Sequence, residues 1–276
     1  MNPSFYQKFI QRRDKLNSLL CIGLDPEWEK LPHSSLQSES PLVHFSESII
    51  RNTHTSAVAW KPNIAFFERF GAQGYFSFER MIQILKDTDD SIPIVVDAKR
   101  GDLANTSKEY AKYFFQTLKA DALTVNAYMG RDTLLPYLDA GGFIFILCLT
   151  SNPSSLDLQK LKISERDSFL YEAVSDFAAD LEREFPKQVG IVMGGTHSSE
   201  IQNIRNRHPH LVFLVPGYGA QGASLKEIYR AGGDLCLINS SRGITLLSRE
   251  SDFGSLAGKK AKEIQSEFTE LRSTSV

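Results

Sequence analysis

The chain has few cysteines, and the three it carries, Cys21, Cys148 and Cys236, stand far apart, each inside an apolar run. An odd count at wide spacing excludes a disulfide framework and a paired-cysteine zinc site, and it points to reduced thiols in a cytoplasmic protein. Nor is there an excess of basic side chains: 31 Lys+Arg face 33 Asp+Glu, for a net charge of −2. A protein whose main partner is the nucleic-acid backbone needs such an excess, so nucleic acid is not expected as a partner. No apolar run approaches the roughly eighteen residues of a membrane helix. The richest, Phe143–Leu149, is of strand length, and a membrane partner is not expected either. A Pro- or Gly-rich linker is also missing, so residues 1–276 are expected to form a single domain. Near the start, Lys8, Arg12, Arg13 and Lys15 are scattered among Phe5, Phe9, Ile10 and Leu16, a pattern that organelle presequences share. Because it runs straight into an apolar run at Leu19, it is expected to be the first helix of the fold.

What is there is an ordinary globular composition, 42% hydrophobic and 23% charged, with its apolar residues gathered into eight short runs. They are Leu19–Leu24, Ala57–Trp60, Pro93–Val96, Ala122–Val125, Phe143–Leu149, Val189–Met193, Leu211–Val215 and Leu235–Ile238. Most are continuous rather than alternating, as strands buried on both faces should be. Amphipathic stretches long enough for crossover helices lie between them, among them Asn105–Lys119, Ser168–Glu184 and Ser224–Ala231, and Ala257–Leu271 closes the series. Strand and helix alternating in this way predict an α/β fold, a (β/α)8 TIM barrel. Ser151–Arg166, without clear periodicity, is expected to be a mobile loop. The polar link Leu31–Ser40 carries no assigned role.

Barrel chemistry lies where strands end and the following loops begin. Run one ends at Asp25, run two at Lys61 and run three at Asp97 and Lys99, with Asp102 just beyond. If that strand persists, Asp97 and Lys99 share one face, because side chains two apart in a strand do. Three neighbouring strands would thus gather Asp25, Lys61, Asp97 and Lys99 in a poorly hydrated space, with Lys99 standing as a proton donor. Run five ends at Thr150 and Ser151.

The last two strand ends read Pro216-Gly217-Tyr218-Gly219-Ala220-Gln221-Gly222 and Asn239-Ser240-Ser241-Arg242-Gly243. Glycines let the backbone approach an anion, and Gln221 with the planar cation of Arg242 adds polar anchors, so phosphate is expected there. Other polar clusters read differently. His208-Pro209-His210 lacks a carboxylate or cysteine at ligand spacing and is expected to be a surface turn; no metal site is expected. Arg205 and Arg207 are expected on a solvated face, and His197 as a residue that starts a helix.

Val96-Asp97-Ala98-Lys99-Arg100-Gly101-Asp102 with Ala104-Asn105-Thr106 resembles the signature of the orotidine 5′-phosphate decarboxylase family, in its second, longer-chain bacterial subgroup. Gly23-Leu24-Asp25-Pro26, Lys61-Pro62-Asn63, Val215 to Gly222 and Asn239 to Ile244 fall in that family's order. The resemblance implies decarboxylation of orotidine 5′-monophosphate to UMP in pyrimidine biosynthesis, without metal or organic cofactor, by a homodimer with shared sites. It implies Lys99 as proton donor and Asp97 as the carboxylate facing the departing carboxylate. Lys61 and Asp25 would touch the ribose, while Asp102 and Thr106 would serve the partner's site. Thr150 and Ser151 would meet the pyrimidine and Gln221 with Arg242 the phosphate, while Asn126, Pro216, Gly217 and Gly243 would bind substrate.

The chain departs from the family pattern at Ala127, at Tyr218 and at Met193-Gly194-Gly195-Thr196, none of them in the charged array. Two other readings stay open on the residues alone. One is a metal-dependent phosphosugar aldolase or epimerase on the same barrel; the other is a noncatalytic phosphosugar-binding barrel.

Overall fold

The computed structural model describes residues 3–218 and 224–274. Its strands are β1 (Leu20–Leu24), β2 (Ala59–Pro62), β3 (Val95–Arg100), β4 (Ala122–Val125), β5 (Phe143–Leu149), β6 (Lys162–Ile163), β7 (Ser168–Phe169), β8 (Val189–Met193), β9 (Val212–Pro216) and β10 (Cys236–Ser240). Eight of them form one sheet in the order β2-β1-β10-β9-β8-β5-β4-β3, and β6 and β7 make a separate antiparallel hairpin. The fold is a (β/α)8 barrel. Strands β1, β2, β4 and β8 are buried at every position, which is why their sequences, Lys61 in β2 and Thr124 in β4 apart, are apolar throughout instead of alternating.

By contacts the chain divides into two compact units, one reaching to Ala98 and resuming at Asn239, the other Lys99–Ile238. In the first, the helix Phe5–Leu16 starts at a capping box: Gln7 N–H donates to Ser4 Oγ at 3.3 Å, and Ser4 N–H to Gln7 Oε1 at 2.8 Å. Arg12 on this helix is buried and acts as a staple. Its guanidinium donates to the carbonyl of Ala57 at 2.8 and 3.2 Å, to that of His54 at 2.9 Å and to Asp89 at 3.1 Å. β1 pairs with β2 in parallel, and parallel bridges Trp60–Ile94 and Asn63–Asp97 set β2 beside the next strand. The long helix Phe253–Ser273 packs on β1 and on the helix Pro41–Thr53.

In the second unit β4, β5, β8 and β9 pair successively in parallel. Three expectations need correction. The stretch expected to be one helix over Asn105–Lys119 is α-helical over Ala104–Ala111 and then widens into a π-helical turn, Lys112–Thr117. The wide turn sets the Phe115 ring where a Cβ on Gly142 would come within 2.2 Å, so only glycine fits there. Arg205 is no member of a solvated face. It donates to the carbonyls of Gly232, Pro209, Leu211 and Leu235 at 2.7 to 3.1 Å and lies over the Phe213 ring, tying together the ends of the chain around β9. His208 is more than a surface turn: its side chain is only 12% exposed and its ring contacts Asp176 Oδ1 at 2.9 Å.

The segment expected to be a loop, Ser151–Arg166, carries 3-10 turns at Pro153–Asp157 and Ser164–Arg166 and the strand β6. Its two-residue strand is too short to leave a period-two pattern. No helix among the described residues is long and apolar enough to cross a membrane.

Candidate active site

In the first unit, Lys61 comes from the end of β2 and Asp97 from β3, and both are nearly excluded from water at 3% and 8% exposure. Lys61 Nζ donates to Asp97 Oδ2 at 2.9 Å and stands 4.0 Å from Asp25 Oδ1 at the end of β1. Burial alone would lower the Lys61 pKa. The fields of Asp97 and Asp25 and the hydrogen bond to Asp97 overcome that, and the pKa is raised, so Lys61 is held as an ammonium. Cys21, on β1 and fully buried, has its thiol pushed up to about 12, chiefly by burial and against the opposing influence of Lys61.

At the far end of the chain, Asn239 and Ser240 close β10, Arg242 opens the short helix Arg242–Thr245, and Arg242 is exposed. Asn239 Oδ1, Ser240 Oγ, Ser241 Oγ and Asp25 Oδ1 are buried atoms without a hydrogen-bond partner. Gly23 makes room for that segment: a Cβ there would meet Ser241 Cβ at 2.6 Å. Gly243 lies close to Ser240, with 3.4 Å between its would-be Cβ and Ser240 Oγ.

In the second unit, Lys99 departs from expectation in two ways. Its φ is +48°, in the left-handed region, so the alternation that would put Asp97 and Lys99 on one face does not hold at this residue. Lys99 is also exposed, where the sequence pointed to a poorly hydrated space. The buried ammonium is that of Lys61. Lys99 N–H donates to Thr124 Oγ1 at 2.9 Å, which assigns the strained backbone a partner on β4. Thr124 is a neighbour of Lys99 that the sequence reading missed; the signal was a hydroxyl inside an otherwise apolar strand.

Asp102 and Thr106 are half-buried at the start of the helix Ala104–Ala111. Asn126 is exposed just past β4, its Oδ1 accepting from Tyr128 N–H at 2.9 Å. Thr150 and Ser151, half-buried, follow β5; Thr150 is bonded to Gln159, Asn152 and His197. Pro216 ends β9 and Gly217 follows with φ +104°, a conformation that requires glycine. Gln221, with Gly219, Ala220 and Gly222, lies outside the described residues. His197 does precede the helix Ser198–Arg207 as expected, and its ring contacts the Thr150 carbonyl.

Among the described residues no group of three or more His, Cys, Asp or Glu side chains is arranged to hold a metal ion.

A family profile described as orotidine 5′-phosphate decarboxylase / HUMPS family matches residues 18–248. The chain is 48% identical to an orotidine 5′-phosphate decarboxylase of Leptospira interrogans over 95% of its own length and 94% of that protein's. It is similar to the solved structure of Leishmania donovani OMP decarboxylase, with a TM-score of 0.83 at 38% identity, covering 98% of this chain and 99% of that one. It is likewise similar to Leishmania donovani UMP synthase, with a TM-score of 0.84 at 39% identity, covering 98% of this chain but only 57% of that longer one.

Proposed function

The chain belongs to the orotidine 5′-phosphate decarboxylase / HUMPS family, and on that premise we propose that it removes carbon dioxide from orotidine 5′-monophosphate to give UMP in pyrimidine biosynthesis. The names of its relatives favour this over a phosphosugar aldolase or epimerase and over a noncatalytic barrel.

Breaking the bond between C6 and the carboxylate releases carbon dioxide and leaves the electron pair on C6, a vinylic carbanion with little resonance help. The enzyme must therefore stabilise charge that the substrate does not carry. Lys99 opposes that charge with its ammonium and then gives its proton to C6, forming UMP and an amine that is reprotonated from water. Asp97 faces the departing carboxylate; Lys61 and Asp25 contact the ribose. Asp102 and Thr106 are lent to the partner's site in a homodimer, Thr150 and Ser151 meet the pyrimidine, Gln221 and Arg242 hold the phosphate, and Asn126, Pro216, Gly217 and Gly243 bind the substrate. The enzyme works in the cytoplasm.

The observation that carries this reading is the buried Lys61–Asp97 pair with Asp25 at 4.0 Å. Charges fixed in advance by one another need little reorganisation as the reaction moves charge, which is how a rigid site lowers a barrier. The deciding experiment follows the ultraviolet absorbance of orotidine 5′-monophosphate with purified protein in excess chelator. A steady loss of substrate absorbance is expected. Silence in that assay, or turnover that returns only with a divalent cation, would overturn the proposal.

A further inference from the structure

Thr150 is gripped from several sides by residues that no step above uses. Its backbone N–H donates to Gln159 Oε1 at 2.7 Å, and Gln159 Nε2 donates to Thr150 Oγ1 at 2.9 Å. The hydroxyl also reaches Asn152 Oδ1 at 2.7 Å. On the other side His197 Nε2 lies 3.1 Å from the Thr150 carbonyl, and since a carbonyl only accepts, that nitrogen carries the hydrogen. The grips are joined to each other. Lys160, next to Gln159, is bonded to Glu200 Oε1, which stands 4.0 Å from His197 Nδ1, while Ser199 Oγ donates to Glu200 Oε2 at 2.8 Å. Contacts thus run in a closed circuit through Thr150, Gln159, Lys160, Glu200 and His197.

Two more observations tie the circuit to the neighbouring residue and to the hairpin. A Cβ on Gly194 would lie 2.6 Å from Ser151 N, so the glycine backs directly onto Ser151, and Gly194 N–H donates to the Leu149 carbonyl at 2.6 Å. The Gln159 carbonyl accepts from Tyr171 N–H at 2.9 Å, and Leu170 N–H donates to the Leu161 carbonyl at 2.9 Å, so the segment bearing Gln159 is fastened to the start of the helix Leu170–Glu184.

We infer that Gln159 and His197 are positioning residues, which set Thr150 and Ser151 for the pyrimidine by holding the Thr150 backbone and hydroxyl between the hairpin segment and the helix Ser198–Arg207. This rests on the reading above that Thr150 and Ser151 meet the base. Gln159 does not touch the reacting atoms; it acts through Thr150. The paired amide is suited to this because one group supplies an acceptor for the backbone and a donor for the side chain, which a shorter or apolar residue cannot do together.

The test compares two probes that share a phosphate and a ribose but differ in the base. For Gln159→Ala, UMP affinity should fall about tenfold, the loss of one to two net hydrogen bonds, while ribose 5-phosphate affinity stays unchanged. Gln159→Glu, which keeps the acceptor for Thr150 N–H, should recover part of the loss, and His197→Ala should repeat the base-selective pattern. Equal weakening of both probes would mark a merely structural role and overturn the inference, as would unchanged UMP binding. Thr150→Val and Ser151→Ala separate the two levels. If neither alters UMP affinity or the KM for orotidine 5′-monophosphate, the pyrimidine assignment itself fails; if they do and Gln159→Ala does not, only the positioning role fails.

Discussion

Lys61 Nζ and Asp97 Oδ2 meet at 2.9 Å with almost no access to water. A charge in such a place is tolerable only while its partner is present, because removing one member strands the other in a medium that solvates it poorly. Lys61→Met is therefore expected to be costly in two ways. It should destabilise the protein by about 3–5 kcal/mol, read from urea denaturation, and it should remove decarboxylation. A Lys61→Met variant with unaltered stability would mean that Asp97 and Asp25 do not depend on this ammonium.

The same burial sets the alkaline limit of stability. Cys21, Cys148 and Cys236 are raised above the ordinary thiol value of 9.0, and Lys61 above 10.5, so each holds its proton more tightly folded than unfolded. Stability from such groups is complete below the ordinary value and is lost as the pH rises toward the folded one. Denaturation midpoints measured from neutrality upward should fall from about pH 9. Replacing the three cysteines with alanine should shift that onset to about pH 10, where Tyr137 and Tyr171, raised from 10.0 by burial, and then Lys61 take over. An onset that ignores the cysteines would refute the assignment.

Lys99 occupies a backbone conformation that costs an L-residue about 1–2 kcal/mol. Lys99→Ala keeps that strain and Lys99→Gly removes it, so the glycine variant is expected to be more stable than the alanine variant by about 1 kcal/mol. Both should lose at least about four orders of magnitude in kcat, since charge stabilisation and proton donation go together. Thermal denaturation of the two variants side by side, with single-turnover assays, checks both statements.

Arg242→Ala is expected to lower kcat/KM by about two orders of magnitude or more, as loss of charge-assisted hydrogen bonds to a phosphate should. Orotidine, which lacks the phosphate, should be turned over equally by the two proteins. A near-normal Arg242→Ala enzyme would remove Arg242 from the phosphate site.

The strands were readable because burial on both faces demands unbroken apolar runs; β4, β5 and β8 have the very bounds the sequence suggests. Asp25, Lys61 and Asp97 were readable as charges at the ends of three successive apolar runs, where their convergence and not any one of them was the signal. Other features left no such trace. The Lys99 backbone angle depends on its surroundings, since lysine has no preference for that region. Arg205 looks like any charged residue of a helix, and only the carbonyls of Gly232 and Leu235, far along the chain, with those of Pro209 and Leu211 nearer by, make it a staple. The hairpin of β6 and β7 is held by backbone pairing too short to impose a pattern. Gln159 was hidden for the same reason, as its acceptor and donor are brought to Thr150 by the turn that precedes the hairpin.

Arg12 gives the opening helix a role beyond covering apolar surface. Its contacts with the carbonyls of Ala57 and His54 lie immediately ahead of β2, the strand that delivers Lys61. A protease that clips between Leu16 and Ser18 would leave those oxygens without their donor and slacken the approach to the site from behind. Nicking there should lower decarboxylation, although the break lies well ahead of Asp25, Lys61 and Asp97.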